Sequence, residues 1–71
     1  MTPAELLTIV VEARTASEAQ EAARLWVRGE PGMRLRRISR VRPHVNEGGN
    51  AWPEHWDVEL VYVSVDPGFG L

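Results

Sequence analysis

The chain has 71 residues, 44% hydrophobic and 25% charged, with no cysteine and a formal net charge of −2. That length allows one domain with one small core, and the composition is that of a globular chain rather than a disordered one. The missing cysteines exclude a disulfide framework and a thiolate metal site, and the negative charge argues against a binder held on nucleic acid mainly by electrostatics.

So short a chain without staples needs tight packing or self-association to be stable, and self-association is favoured. All eight basic residues are arginine. This reads as the codon usage of a GC-rich genome more than as selection for bidentate pairing.

Residues 5–14, ELLTIVVEAR, predict a first strand, with Pro3 suited to the approach, where no ladder donor is needed. Alternation puts Leu7, Ile9, Val11 and Ala13 on one face and Leu6, Thr8, Val10, Glu12 and Arg14 on the other. The apolar run Leu6–Val11 is broken by Thr8 and too short to span a membrane, and no basic leader precedes it. No membrane association is expected. The default is a protein acting in the cytoplasm, whether its gene is chromosomal or carried by a phage or plasmid.

A helix is predicted over 16–28. Ser17 is read as its N-cap, with Gln20 completing a capping-box pattern. Glu18 and Glu21 in the first turn, and Arg24 and Arg28 in the last, match the macrodipole. Ala19, Ala22, Ala23 and Trp26 form the expected buried stripe, with Leu25 and Val27 at its margins. Gly29 is placed as the closing C′ residue, and Pro31 prevents continuation.

After the turn Glu30-Pro31-Gly32, residues 33–42, MRLRRISRVR, predict a second strand. Simple alternation places Arg34, Arg36, Ile38, Arg40 and Arg42 on one face and Met33, Leu35, Arg37, Ser39 and Val41 on the other. Arg37 then falls on the core side, a conflict that a bulge or an edge position would remove. Residues 43–55 read as a long polar connection, a hairpin loop around Glu47–Asn50 with short strand extensions. Residues 56–65, WDVELVYVSV, predict the third and most apolar strand, and the tail 66–71 is expected to be mobile unless a partner holds Phe69.

The expected fold class is α+β: a single small β-α-β-β domain over 1–71, with one helix on one face of a three-stranded mixed sheet of order 1-3-2. A right-handed crossover through the helix leaves the first two strands parallel, and the third fits between them, antiparallel to both. Its Trp56–Tyr62 side should hold the helix. The other face has no cover in the chain and is the expected interface, built from Val10, Ile38, Val61, Val63 and Val65, with Trp52 as an exposed loop anchor. The simplest partner is a second copy in an isologous dimer.

Arg34, Arg36, Arg40 and Arg42 are the candidate nucleic-acid stripe. The plainer account is an edge strand protected by charge and paired with Asp57 and Glu59. His44, Glu47, His55 and Asp57 gather near the ends of the loop but match no zinc spacing, so no metal and no cofactor is expected. Ser17, Ser39 and Ser64 lack a histidine in sequence context to activate them, and Gly48-Gly49 lacks the strand-to-helix setting of a phosphate loop. Trp26 and Trp56 are read as large core residues at opposite ends of the helix–sheet sandwich.

In element order, length and bare sheet face the chain resembles the flavin-storing dodecins, which assemble by burying such a face. Its second strand holds arginine and aliphatic residues where that family carries an aromatic residue for flavin stacking, so flavin binding does not carry over. The first functional reading is a non-enzymatic, homo-oligomeric interaction module. The alternative is a nucleic-acid-binding accessory protein using the arginine strand, and the third is an oligomeric ligand binder with a site between subunits around Trp52.

Overall fold

A computed structural model describes residues 3–65, without the side chains of residues 51–53. The expectations for the Trp52 side chain and for the tail 66–71 with Phe69 therefore lie outside what is described. In chain order the elements are β1 (Glu5–Glu12), α1 (Ala16–Arg28), β2 (Met33–Val45) and β3 (Ala51–Ser64). The sheet order is β1-β3-β2, as expected. Both ladders are antiparallel, so the sheet is antiparallel rather than mixed: the two strands joined through the helix never touch.

Thr15, not Ser17, starts the helix. Its backbone is extended and its side chain accepts from the Glu18 N–H at 3.1 Å. The Glu18 carboxylate in turn accepts from the Arg14 N–H at 2.9 Å. Thr-Ala-Ser-Glu has the Thr-x-x-Glu pattern of a capping box, but Glu18 reaches the N–H of Arg14, the residue before the cap, rather than that of Thr15 itself. At the other end the Gly29 N–H donates to the Trp26 carbonyl at 3.1 Å with φ −81°, a right-handed closure that does not use glycine's freedom.

The helix lies on the sheet along Ala19, Ala23 and Val27, all buried. Small side chains on that line let the helix backbone come close to the strands, and a Trp there would lift it away. Trp26 accordingly lies off the line and is 39% exposed, so it is not the core residue its spacing suggested. Trp56 does pack against the core, and its Nε1–H donates to the Ala13 carbonyl at 2.9 Å.

Val58 and Leu60 of β3 are fully buried beneath the helix. Each contributes roughly 2 kcal/mol by removal from water. Ile9, Val11, Met33, Leu35, Ile38, Val41 and Trp56 pack around them. Ile38 is therefore on the helix side, which corrects its placement on the open face.

The reason is the register of β2. Leu35 faces Tyr62 and Ile38 faces Leu60, yet Arg37 faces Val61, so Arg36 is an extra residue. A second shift between Ile38 and Arg40 makes Ser39 extra. Each inserted residue resets the alternation by one, and the half-buried aliphatics fall at Met33, Leu35, Ile38 and Val41. The Arg37 conflict disappears the same way.

The predicted long connection is mostly strand. Only a short turn separates β2 from β3, closed by Asn46, whose Oδ1 accepts from the N–H groups of Gly48 and Asn50 at 3.0 Å each. Gly49 sits there at φ +82°. A third shift, between Pro43 and Val45, leaves β3 with surplus residues opposite His44. Glu54, at φ +61°, lies in that excursion, and its carbonyl accepts from the Ala13 N–H at 2.8 Å.

Candidate functional site

The sheet face away from the helix carries most of the predicted site residues, arranged in cross-strand rows. Asp57 of β3 lies between Val10 of β1 and Arg42 of β2. Glu59 lies between Thr8 and Arg40, and Val61 between Leu6 and Arg37. Val63 faces Arg34. An antiparallel sheet with one solvated face ordinarily turns polar residues to the water. This face does so only in part.

Leu6 and Val10 are 65% and 50% exposed. Val61 is 9% exposed although no helix covers it, because its neighbours in the row are the long side chains of Leu6 and Arg37. Val63 is half-buried, and Val65 lies just past the end of β3, its N–H donating to the Gly32 carbonyl at 3.0 Å. Of the predicted apolar set, the structure puts Val10, Val61 and Val63 on this face, with the Thr8–Glu59–Arg40 row between Val10 and Val61, and moves Ile38 away. Leu6 belongs with them and was not in the predicted interface.

The arginines are denser than simple alternation implies. The bulge carries Arg37 to the open face with Arg34, Arg40 and Arg42, while Arg36 is the exposed inserted residue beside it. A period of three in the aliphatics Leu35, Ile38 and Val41 is the sequence signal that marks this doubly bulged strand.

Asp57 is the most engaged charged group of the face. Its Oδ1 lies 2.7 Å from His44 Nδ1, and its Oδ2 lies 3.7 Å from Arg42 Nε. A proton on Nδ1 makes the imidazole the donor. Arg42 thus has a carboxylate partner, as the edge-protection account expects, and Glu59 stands opposite Arg40 in the ladder.

Among the described residues no group of three or more His, Cys, Asp or Glu side chains could hold a metal ion. His55 stands opposite Glu12 in the β1–β3 register. Of the candidate nucleophiles, Ser64 Oγ donates to the Glu5 carboxylate at 2.7 Å, whereas Ser17 and Ser39 are exposed on the helix and at the bulge. Among the described residues no helix is long and apolar enough to cross a membrane. Comparison with protein-family models, with curated proteins and with solved structures found no match to this chain.

Proposed function

We propose that this chain is a small, non-enzymatic interaction module that acts in the cytoplasm as a homo-oligomer, most simply a dimer, through its open sheet face. The observation that carries this reading is the cluster of Leu6, Val61 and Val63, with Val10 two rows away, on a face that no described element covers. A stable domain buries each sheet face that is apolar. Here the core under the helix is small, and three of its six buried members are alanines. Covering the second face adds the burial that this chain otherwise lacks. Charges of both signs, Asp57 and Glu59 against the β2 arginines, lie beside the Leu6, Val61 and Val63 cluster, where an interface carries its polar residues.

The test is mass in solution by size exclusion with light scattering, on the wild type and on Val63→Asp. The expected result is an oligomer that Val63→Asp converts to a folded monomer, with the helix signal in circular dichroism retained. A monomeric wild type, or an oligomer indifferent to Val63→Asp, overturns the reading.

The bulge that adds Arg37 to the stripe favours one second reading, a nucleic-acid-binding accessory protein that tracks phosphates with β2. Such binding would fall steeply with salt. An affinity and salt slope unchanged when Arg34→Ala, Arg37→Ala and Arg40→Ala are combined removes the stripe as its source.

A further inference from the structure

β3 lies in the middle of the sheet, so β1 and β2 both present an edge, and the two edges differ. The β2 edge is blunted by bulges at Arg36 and Ser39, by Pro43, which has no N–H, and by its arginines. These are the devices by which sheet edges avoid pairing with other chains. β1 has none of them. Its register with β3 is unbroken over all eight residues, Glu5 to Glu12, and within Glu5–Glu12 it has neither proline nor basic residue.

The direction of the backbone groups that β3 leaves unpaired follows from one bond. The Ala13 N–H donates to the Glu54 carbonyl at 2.8 Å, and this pair continues the register in which Glu12 faces His55. In an antiparallel ladder alternate residues bond to a given neighbour. Val11, Ile9 and Leu7 therefore bond inward to β3, while Leu6, Thr8, Val10 and Glu12 aim their N–H and C=O groups outward. Leu6 and Val10 are also among the most exposed large apolar residues described.

We infer that β1 pairs with β1 of a second copy, antiparallel and centred on Thr8. In that register Thr8 faces Thr8 of the partner, Leu6 faces the partner's Val10, and Leu7 faces the partner's Ile9. Apolar residues meet on both sides of the sheet, and no carboxylate faces another, since Glu5 falls opposite the partner's Val11 and Glu12 opposite the partner's Ala4. Shifting by one residue in either direction turns the helix side of one copy to the open side of the other, and in one direction it also sets Glu5 against Glu12. A shift of two, centred on Ile9, sets Leu6 against Glu12. The Thr8-centred pairing forms about six backbone hydrogen bonds and yields one continuous sheet, β2-β3-β1-β1-β3-β2.

The twofold axis of this pair is perpendicular to the sheet, so both helices lie on one side and both open faces on the other. The three-stranded part of one open face spans about 26 by 14 Å from strand spacings, small beside the ~800 Å² that each partner of a standard interface buries. Edge pairing joins two such faces. It uses a surface distinct from face-to-face packing and stands without it.

The test combines amide exchange by NMR with mass in solution, on wild type, Thr8→Pro and Val63→Asp. Because the Thr8 N–H points outward, proline there removes no bond to β3, and Leu7 before it is already extended. The expected results are wild-type Leu6, Thr8 and Val10 amides that exchange at least roughly tenfold more slowly at high than at low protein concentration, and a folded Thr8→Pro chain of monomer mass. Val63→Asp should retain the slow Leu6 and Val10 amides. Fast exchange of these amides in the wild type overturns the edge pairing whatever Thr8→Pro does. A wild-type oligomer that Val63→Asp abolishes, with fast Leu6 and Val10 amides, assigns association to the face and also overturns it. So does an unchanged mass in Thr8→Pro.

Discussion

Ile38 faces Leu60 across the β2–β3 ladder, on the side of the sheet that the helix covers. Two residues earlier the strand has taken in Arg36 as an extra residue, and two arginines, Arg36 and Arg37, occupy the space of one rung. The bulge does two jobs at once: it keeps an aliphatic side chain in the core and keeps adjacent cations in water.

Ile38→Ala is therefore a core substitution. It should lower the unfolding free energy by about 2 kcal/mol, read from the urea midpoint at unchanged slope, with no specific loss of self-association at concentrations where the chain stays folded. A weakened oligomer with unchanged stability would place Ile38 on the open face instead.

Thr15 and Ser17 make opposite forecasts. Thr15→Ala removes the acceptor of the Glu18 N–H and should cost about 1 kcal/mol. Ser17→Ala, in the first turn and exposed, should stay within about 0.5 kcal/mol of wild type. Thermal melts of the two variants decide it, and equal losses would move the cap.

The two described tryptophan side chains should separate as clearly. Trp56→Phe keeps most of the packing but strips the Ala13 carbonyl of its 2.9 Å donor, a loss of about 1–2 kcal/mol. Trp26→Phe, at a half-exposed helix position, should cost less than about 0.5 kcal/mol. Chemical denaturation of both variants, followed by circular dichroism, measures the difference.

In the Asn46 turn the neighbouring glycines are not equivalent. Gly49 holds φ +82°, and Gly49→Ala should destabilise by about 1 kcal/mol. A Cβ on Gly48 meets only Asn46 Oδ1 at 3.4 Å and Asn50 Nδ2 at 3.6 Å, ordinary contacts, so Gly48→Ala should be nearly neutral. Equal midpoints in urea for the two alanine variants would contradict the turn geometry.

Much of the architecture was legible in local pattern. The helix bounds follow from propensity, from Arg28 in its last turn and from Gly29-Glu30-Pro31. The central place of β3 follows from its being apolar on both sides, Val58 and Leu60 on one and Val61 and Val63 on the other. The order 1-3-2 follows because a helical crossover leaves room for one strand between its ends. Even the placement of Val10, Val61 and Val63 on the face away from the helix was legible in the alternation.

Three features were decided only in the folded chain. Thr15 outcompeted Ser17 as the cap: its side chain takes the Glu18 N–H while Glu18 reaches back to the Arg14 N–H, a choice between overlapping patterns that propensity does not rank. The rotation of the helix was set by its closest approach to the sheet: alanines can sit on the contact line and Trp26 cannot, though both share the same helical stripe. The phase of β2 was set by β3. Alternation along a strand is a property of its own backbone, but a bulge exists only relative to the rung opposite. What the arginine strand turns to its neighbours is therefore fixed by the pairing and by the need to bury Leu35, Ile38 and Val41 together.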